Sequence, residues 1–269
     1  RNGRSVGELN SLCNFLLPLG PVLLTGGQTG ELFNALTGEV VLRSPSPLNC
    51  GAVFERAGQK YAIIGTYTGA GIVLRLANEN VEHVQTVRLH SNAVKGIASH
   101  SSTIFSVCAT GSAAFHATET LALLQAIPMA HERIANGCVA LSTREYASVS
   151  RDLKLRIWRD AECESIASPH LHSIKCVAAT PCGRYIATGD YAGTICVFDV
   201  ARSAWISRTR PTATGISSLA TGLRSGEFIA SSYDGKTHTA AVPKNPLVET
   251  ALTTSSGKML QTGMAGASA

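Results

Sequence analysis

His170 and His172 stand two residues apart, and Cys176 and Cys182 six apart, in the stretch SPHLHSIKCVAATPCGR. Imidazole and thiolate are the ligands zinc takes, but a closed site needs four, and no CxxC pair stands elsewhere to complete it. The two cysteines instead flank a strand-to-strand turn, TPCGR. The Gly-rich TGGQTG at 25–30 has the look of a phosphate cradle, yet neither a Lys nor a helix follows it, so it reads as a hairpin turn. No GxSxG, HExxH or GxxxxGK[ST] motif occurs. No catalytic residue, metal site or cofactor is therefore assigned. The charged stretch TREYASVSRDLKLRIWRD reads as a solvated sheet edge, with an acidic partner's docking site as the alternative. Arg202, Arg208 and Arg210 form a looser basic patch.

Composition narrows the remaining classes. Of the 269 residues 45% are hydrophobic and only 15% charged, which suits a compact fold with many buried strands. The net charge of +5 permits acidic partners, but no Lys/Arg run of the kind that marks nucleic-acid proteins occurs. Most of the eight cysteines lie inside apolar runs such as IFSVCA and GTICVF, where a reduced Cys acts as a small hydrophobe. With no Asn-x-Ser/Thr acceptor present, a reducing, intracellular (cytoplasmic) setting without disulfides is expected. The longest apolar stretch, LCNFLLPLGPVLL, is broken by Pro18, Gly20 and Pro21 and cannot cross a bilayer as a helix. A chain that begins at Arg1 is expected to be part of a longer protein.

What positions the side chains is a repeat. Short turns recur at Gln28-Thr29-Gly30, Tyr67-Thr68-Gly69, Ala109-Thr110-Gly111, Arg151-Asp152-Leu153, Tyr191-Ala192-Gly193, Tyr233-Asp234-Gly235 and Met264-Ala265-Gly266. Their intervals are 39, 42, 42, 40, 42 and 31 residues. Six of the seven end in Gly, as a tight hairpin with positive φ requires. A second column, His90, His131 and His172, repeats at 41 residues, each His just before an apolar strand. A period of about forty residues of strands and turns predicts an all-β repeat array.

The pattern resembles the WD-repeat (WD40) β-propellers, most closely in SVSRDLKLRIWRD of the fourth unit. The resemblance covers essentially the whole of residues 1–269 and implies one propeller domain. Seven turns imply seven blades, the sheet closing on itself. The last interval is about ten residues short, so blade six has lost a strand or a loop is missing near AAVPKNPLVETAL. The outer strands of the seventh blade would come from residues 1 to 8 or from sequence elsewhere. By resemblance His131, Ser148, Asp152 and Trp158 form a buried tetrad of complementary hydrogen-bonding groups. Phe198 takes the Trp position in blade five and His116 in blade three.

Equivalent turn positions of successive blades lie in a ring around the channel mouth. Here the ring reads Gln28, Tyr67, Ala109, Arg151, Tyr191, Tyr233, Met264, taking three of the six tyrosines. Tyr, Arg and Met are the residues interfaces favour. Two functions follow: a non-enzymatic scaffold that docks protein partners of a multi-subunit assembly on this face, or an RNA- or ribonucleoprotein-associated propeller that uses its basic excess. Neither a membrane nor a small-molecule substrate is expected as a partner.

Overall fold

The computed structural model describes residues 8–141, 145–159 and 162–243. They form six antiparallel sheets, each a meander in chain order. Sheet one holds β1 (Cys13–Leu19), β2 (Val22–Gly27), β3 (Glu31–Asn34) and β4 (Val40–Arg43), and sheet two holds β5 (Leu48–Arg56), β6 (Gln59–Thr66), β7 (Ala70–Ala77) and β8 (Asn80–Arg88). Sheet three comprises β9 (Val94–His100), β10 (Thr103–Cys108), β11 (Ala113–Ala117) and β12 (Leu123–Ile127), and sheet four β13 (Ala135–Ala140), β14 (Glu145–Ser150), β15 (Lys154–Arg159) and β16 (Glu162–Ala167). Sheet five has β17 (Ile174–Ala179), β18 (Tyr185–Asp190), β19 (Ile195–Asp199) and β20 (Ala204–Thr209). Sheet six has only β21 (Ile216–Thr221), β22 (Glu227–Ser232) and β23 (Thr237–Ala241). The first strands pack side by side in the order β1, β5, β9, β13, β17, β21, so the sheets stand around an axis as blades.

The seven blades expected from the turns are corrected to six among the described residues, and the seventh turn, Met264-Ala265-Gly266, lies outside them. The fourth strand expected within AAVPKNPLVETAL is not found among them either. Its first two residues, Ala240 and Ala241, close β23, and Pro243 follows without an N–H to pair.

Packing shows how the array is built and where it stops. The residue four before each turn faces the next sheet: Leu24, Ile63, Phe105, Ala147 and Ala187 are all fully buried. Ile63 meets Ile104 of sheet three, Phe105 meets Tyr146 of sheet four, and Ala187 meets Phe228 of sheet six. The same position in sheet six, Ile229, is 37% exposed. Its forward face has no neighbour among the described residues. On the far side Leu12 and Leu16, before and within β1, are also exposed. A cleft of about 800 Å³ separates the two, lined by Phe15 and Leu16 of sheet one and by Leu219 and Ser231 of sheet six.

The turn glycines do the work their φ angles predict. Gly69 (φ +89°) and Gly193 (φ +88°) sit against the carbonyl oxygens of His90 and Thr212, and a Cβ at either position would run into that backbone. The turn without Gly places Leu153 in the same left-handed region, at φ +64°.

Candidate functional site

The residue before each turn lies on one face of the array. Gln28 and Arg151 are exposed and Ala109 is half-buried, while Tyr67, Tyr191 and Tyr233 are 36%, 38% and 59% exposed. Met264 lies outside the described residues. The three remaining tyrosines, Tyr61, Tyr146 and Tyr185, are buried or half-buried in the blades. Two ring tyrosines carry a cation over the ring: Lys95 Nζ is 5.1 Å from the Tyr67 centroid and Arg151 Cζ 5.8 Å from that of Tyr191.

Lys95 arrives there by a device invisible to a fixed repeat. In every sheet the first strand bulges where it reaches this face, two of its residues opposing one. The extra residues are Asn14, Asn49, Lys95, Asn136, Lys175 and Ser217. The asparagines stitch neighbouring sheets together. Asn14 Nδ2 donates to Leu48 O at 2.8 Å, Asn49 Nδ2 to Val94 O at 2.5 Å and Asn136 Nδ2 to Ile174 O at 2.6 Å. Lys95 and Lys175 hold the same place in sheets three and five, and among the described residues neither has a carboxylate within 4 Å.

Behind this face, imidazole–hydroxyl pairs fix the turns. In blade four Trp158 Nε1–H donates to Ser148 Oγ at 2.8 Å, and His131 Nε2 lies 2.8 Å from the same oxygen. His131 Nδ1 is 3.3 Å from Asp152 Oδ2. Arg156 Nη1, which sequence reasoning passed over, is 2.6 Å from that nitrogen and 2.7 Å from that carboxylate oxygen. A guanidinium only donates, so its two hydrogens serve Nδ1 and Oδ2, and the imidazole proton sits on Nε2 facing Ser148. The carboxylate therefore reaches the histidine chiefly through Arg156. Burial alone would raise the Asp152 carboxyl, but the Arg156 guanidinium beside it holds it well below the usual carboxylate range.

Blade five corrects the histidine column. His172 is exposed, and His170 is the buried residue, with Nδ1 2.9 Å from Asp190 Oδ2 and Nε2 2.8 Å from Thr188 Oγ1. Here Nδ1 carries the proton, because a carboxylate only accepts. Both partners have slipped back two residues together, so neither a fixed period nor the turn position, Ala192, points to them. Asp190 also accepts from the Ala192 and Thr194 amides and so shapes the turn that displays Tyr191. Phe198 fills the indole position, packed on Trp205. Blade three keeps only hydroxyls: His90 Nε2 is 2.9 Å from Ser106 Oγ and Nδ1 3.2 Å from Ser112 Oγ.

These histidines make stability depend on pH. Burial, followed by the neighbouring His116, pushes His90 down to about 4 from an ordinary 6.5, and burial likewise lowers His116 and His131. Each is held neutral in the fold and binds a proton more readily when unfolded. The contribution of His90 is complete above pH 6.5 and lost as pH falls towards 4. Between pH 7 and 5 His90 alone should remove about 2 kcal/mol. Thermal melts at the two values check this: the parent should melt lower at pH 5, with a smaller drop in His90→Gln. Equal drops in parent and variant would refute it.

Among the described residues no three His, Cys, Asp or Glu side chains converge as metal ligands, and no helix is long and apolar enough to cross a membrane. Successive meander sheets around an axis, with displayed turns at one end, define a β-propeller. Residues 162–199 match the family model of the WD domain, G-beta repeat. Solved structures share the fold at low identity. The RRP9 WD40 repeats superpose with a TM-score of 0.74 at 16% identity, over 88% of this chain and 78% of theirs. U3-55K gives 0.74 and 16%, over 88% and 79%. The computationally designed Ika8 protein gives 0.69 and 16%, over 89% and 75%. No curated protein matches the sequence. One repeat thus fits the WD-repeat model, and the chain shares the propeller fold of solved WD40 repeats.

Proposed function

We propose that this propeller is a non-enzymatic scaffold that docks a peptide or partner domain on the face bearing Gln28, Tyr67, Arg151, Tyr191 and Tyr233, within a larger intracellular assembly. The observation that carries this reading is the sorting of the tyrosines. All three exposed ones stand on the turn column of one face, while the other three are packed into the blades. Exposed aromatics gathered on one surface mark an interface, and Tyr and Arg supply much of an interface's energy.

The test is capture of partners by the parent chain, followed by titration of each purified partner against variants. Tyr191→Ala with Tyr233→Ala should weaken binding about tenfold or more, about 1.4 kcal/mol, without lowering the melting temperature. Arg208→Ala, on the edge strand β20, should leave binding intact; Arg210 is kept, because its Nε donates to Ala192 O at 2.9 Å in the turn that displays Tyr191. The reverse result transfers the function to the basic edge and to RNA, with its steep salt dependence.

A further inference from the structure

We propose that Lys95, Arg151 and Lys175 form an anion site at the axial end of this face, which seats an Asp or Glu side chain of a bound peptide. The inference deepens the docking reading above and rests on it. Three consecutive blades each contribute one cation, two from the bulge column and one from the ring of turns. In three of the other four bulges the side chain is spent on a carbonyl of the next sheet. The two lysines place a charge there instead.

The bulge register sets Lys95 and Lys175 at one level on blades three and five, with the turn residue Arg151 on blade four between them. Burial lowers the affinity of Lys95 for a proton, and the charges of Lys175 and Arg151 lower it further, while no carboxylate among the described residues acts in the opposite sense. Gathering three like charges in a half-buried place is unfavourable unless an anion joins them. Two of the three are open to a ligand, since Arg151 is exposed and Lys175 lines the 800 Å³ cleft together with Asn14, Ser217 and Tyr233.

The geometry favours a peptide over a nucleic-acid strand. Single strands bind by stacking successive bases on free aromatic faces. Here the Tyr67 ring is covered by Lys95 and the Tyr191 ring by Arg151, which leaves Tyr233 as the one uncapped ring of the three. A carboxylate needs only the cations.

The experiment selects displayed random dodecapeptides on the full chain, then titrates the synthesised winners by fluorescence anisotropy. The winners should carry Asp or Glu, and changing that residue to Asn or Gln should weaken binding about tenfold or more. Lys95→Glu with Lys175→Glu should abolish their binding and favour versions in which Lys replaces the acidic residue. Lys95→Met with Lys175→Met keeps the stems, and it should lose the acidic peptides while melting like the parent. Winners without acidic residues, or unchanged binding by the methionine variant, would overturn the anion site. If Tyr191→Ala with Tyr233→Ala then still abolishes binding, the docking face stands without it. An empty selection overturns the docking reading as well, and uridine oligonucleotide binding that falls steeply with salt then assigns the face to nucleic acid.

Discussion

Phe105→Ala should lower the stability of the chain by about 3–5 kcal/mol, the usual cost of removing a large buried aromatic. Phe105 is fully buried between blades three and four. Its ring lies 4.7 Å from Phe115, 5.1 Å from Tyr146 and 5.5 Å from Trp158, centroid to centroid, so deletion empties the middle of an aromatic cluster. The cavity has little means of collapse. Tyr146 is tethered by its hydroxyl to Thr103, at 2.6 Å from Oγ1, and Trp158 is tethered to Ser148. Urea unfolding checks the value. A loss under about 1 kcal/mol would mean that the blades slide together and are not interlocked as described.

Asp152→Ala should cost about 3–5 kcal/mol, because it strands a buried cation. The Arg156 and Asp152 side chains are 8% and 2% exposed. A tetrad of neutral groups and one carboxylate leads to a smaller expectation, of unpaired donors alone. The guanidinium between His131 and Asp152 raises it. The double variant Asp152→Ala with Arg156→Met separates the two accounts, because removing both charges should recover much of the loss. If the double variant is less stable than the single one by the full cost of a second lesion, Arg156 is not held by Asp152.

The repeat was legible because its chemistry is local. A turn that needs positive φ selects Gly, strands between turns select apolar residues, and the interval hardly varies from Gln28 to Tyr233. Trp158, Ser148 and His131 follow instead from the resemblance of the fourth unit to WD repeats. What escaped depends on shifts of one or two residues. The slip that puts His170 and Asp190 in place of His172 and Ala192 preserves their mutual spacing while breaking the period. A bulge adds one residue to a strand and reverses the face on which its neighbours point. Lys95 and Lys175 therefore read as ordinary strand lysines in VKG and IKC. Arg156 reads as the polar member of an alternating strand, although its guanidinium is enclosed by His131 and Asp152. The blade count differs for another reason: six blades lie among the described residues, and the seventh turn, Met264-Ala265-Gly266, lies outside them.

Among the described residues the sheets form an arc whose middle blades have two neighbours and whose end blades have one. Local opening of a middle blade must break two of the described interfaces. Lys95, Arg151 and Lys175 belong to the third, fourth and fifth blades, which have neighbours on both flanks. Gln28 and Tyr233 belong to the terminal ones. A ligand spanning the face would thus anchor on blades three to five, each held by a described neighbour on both sides.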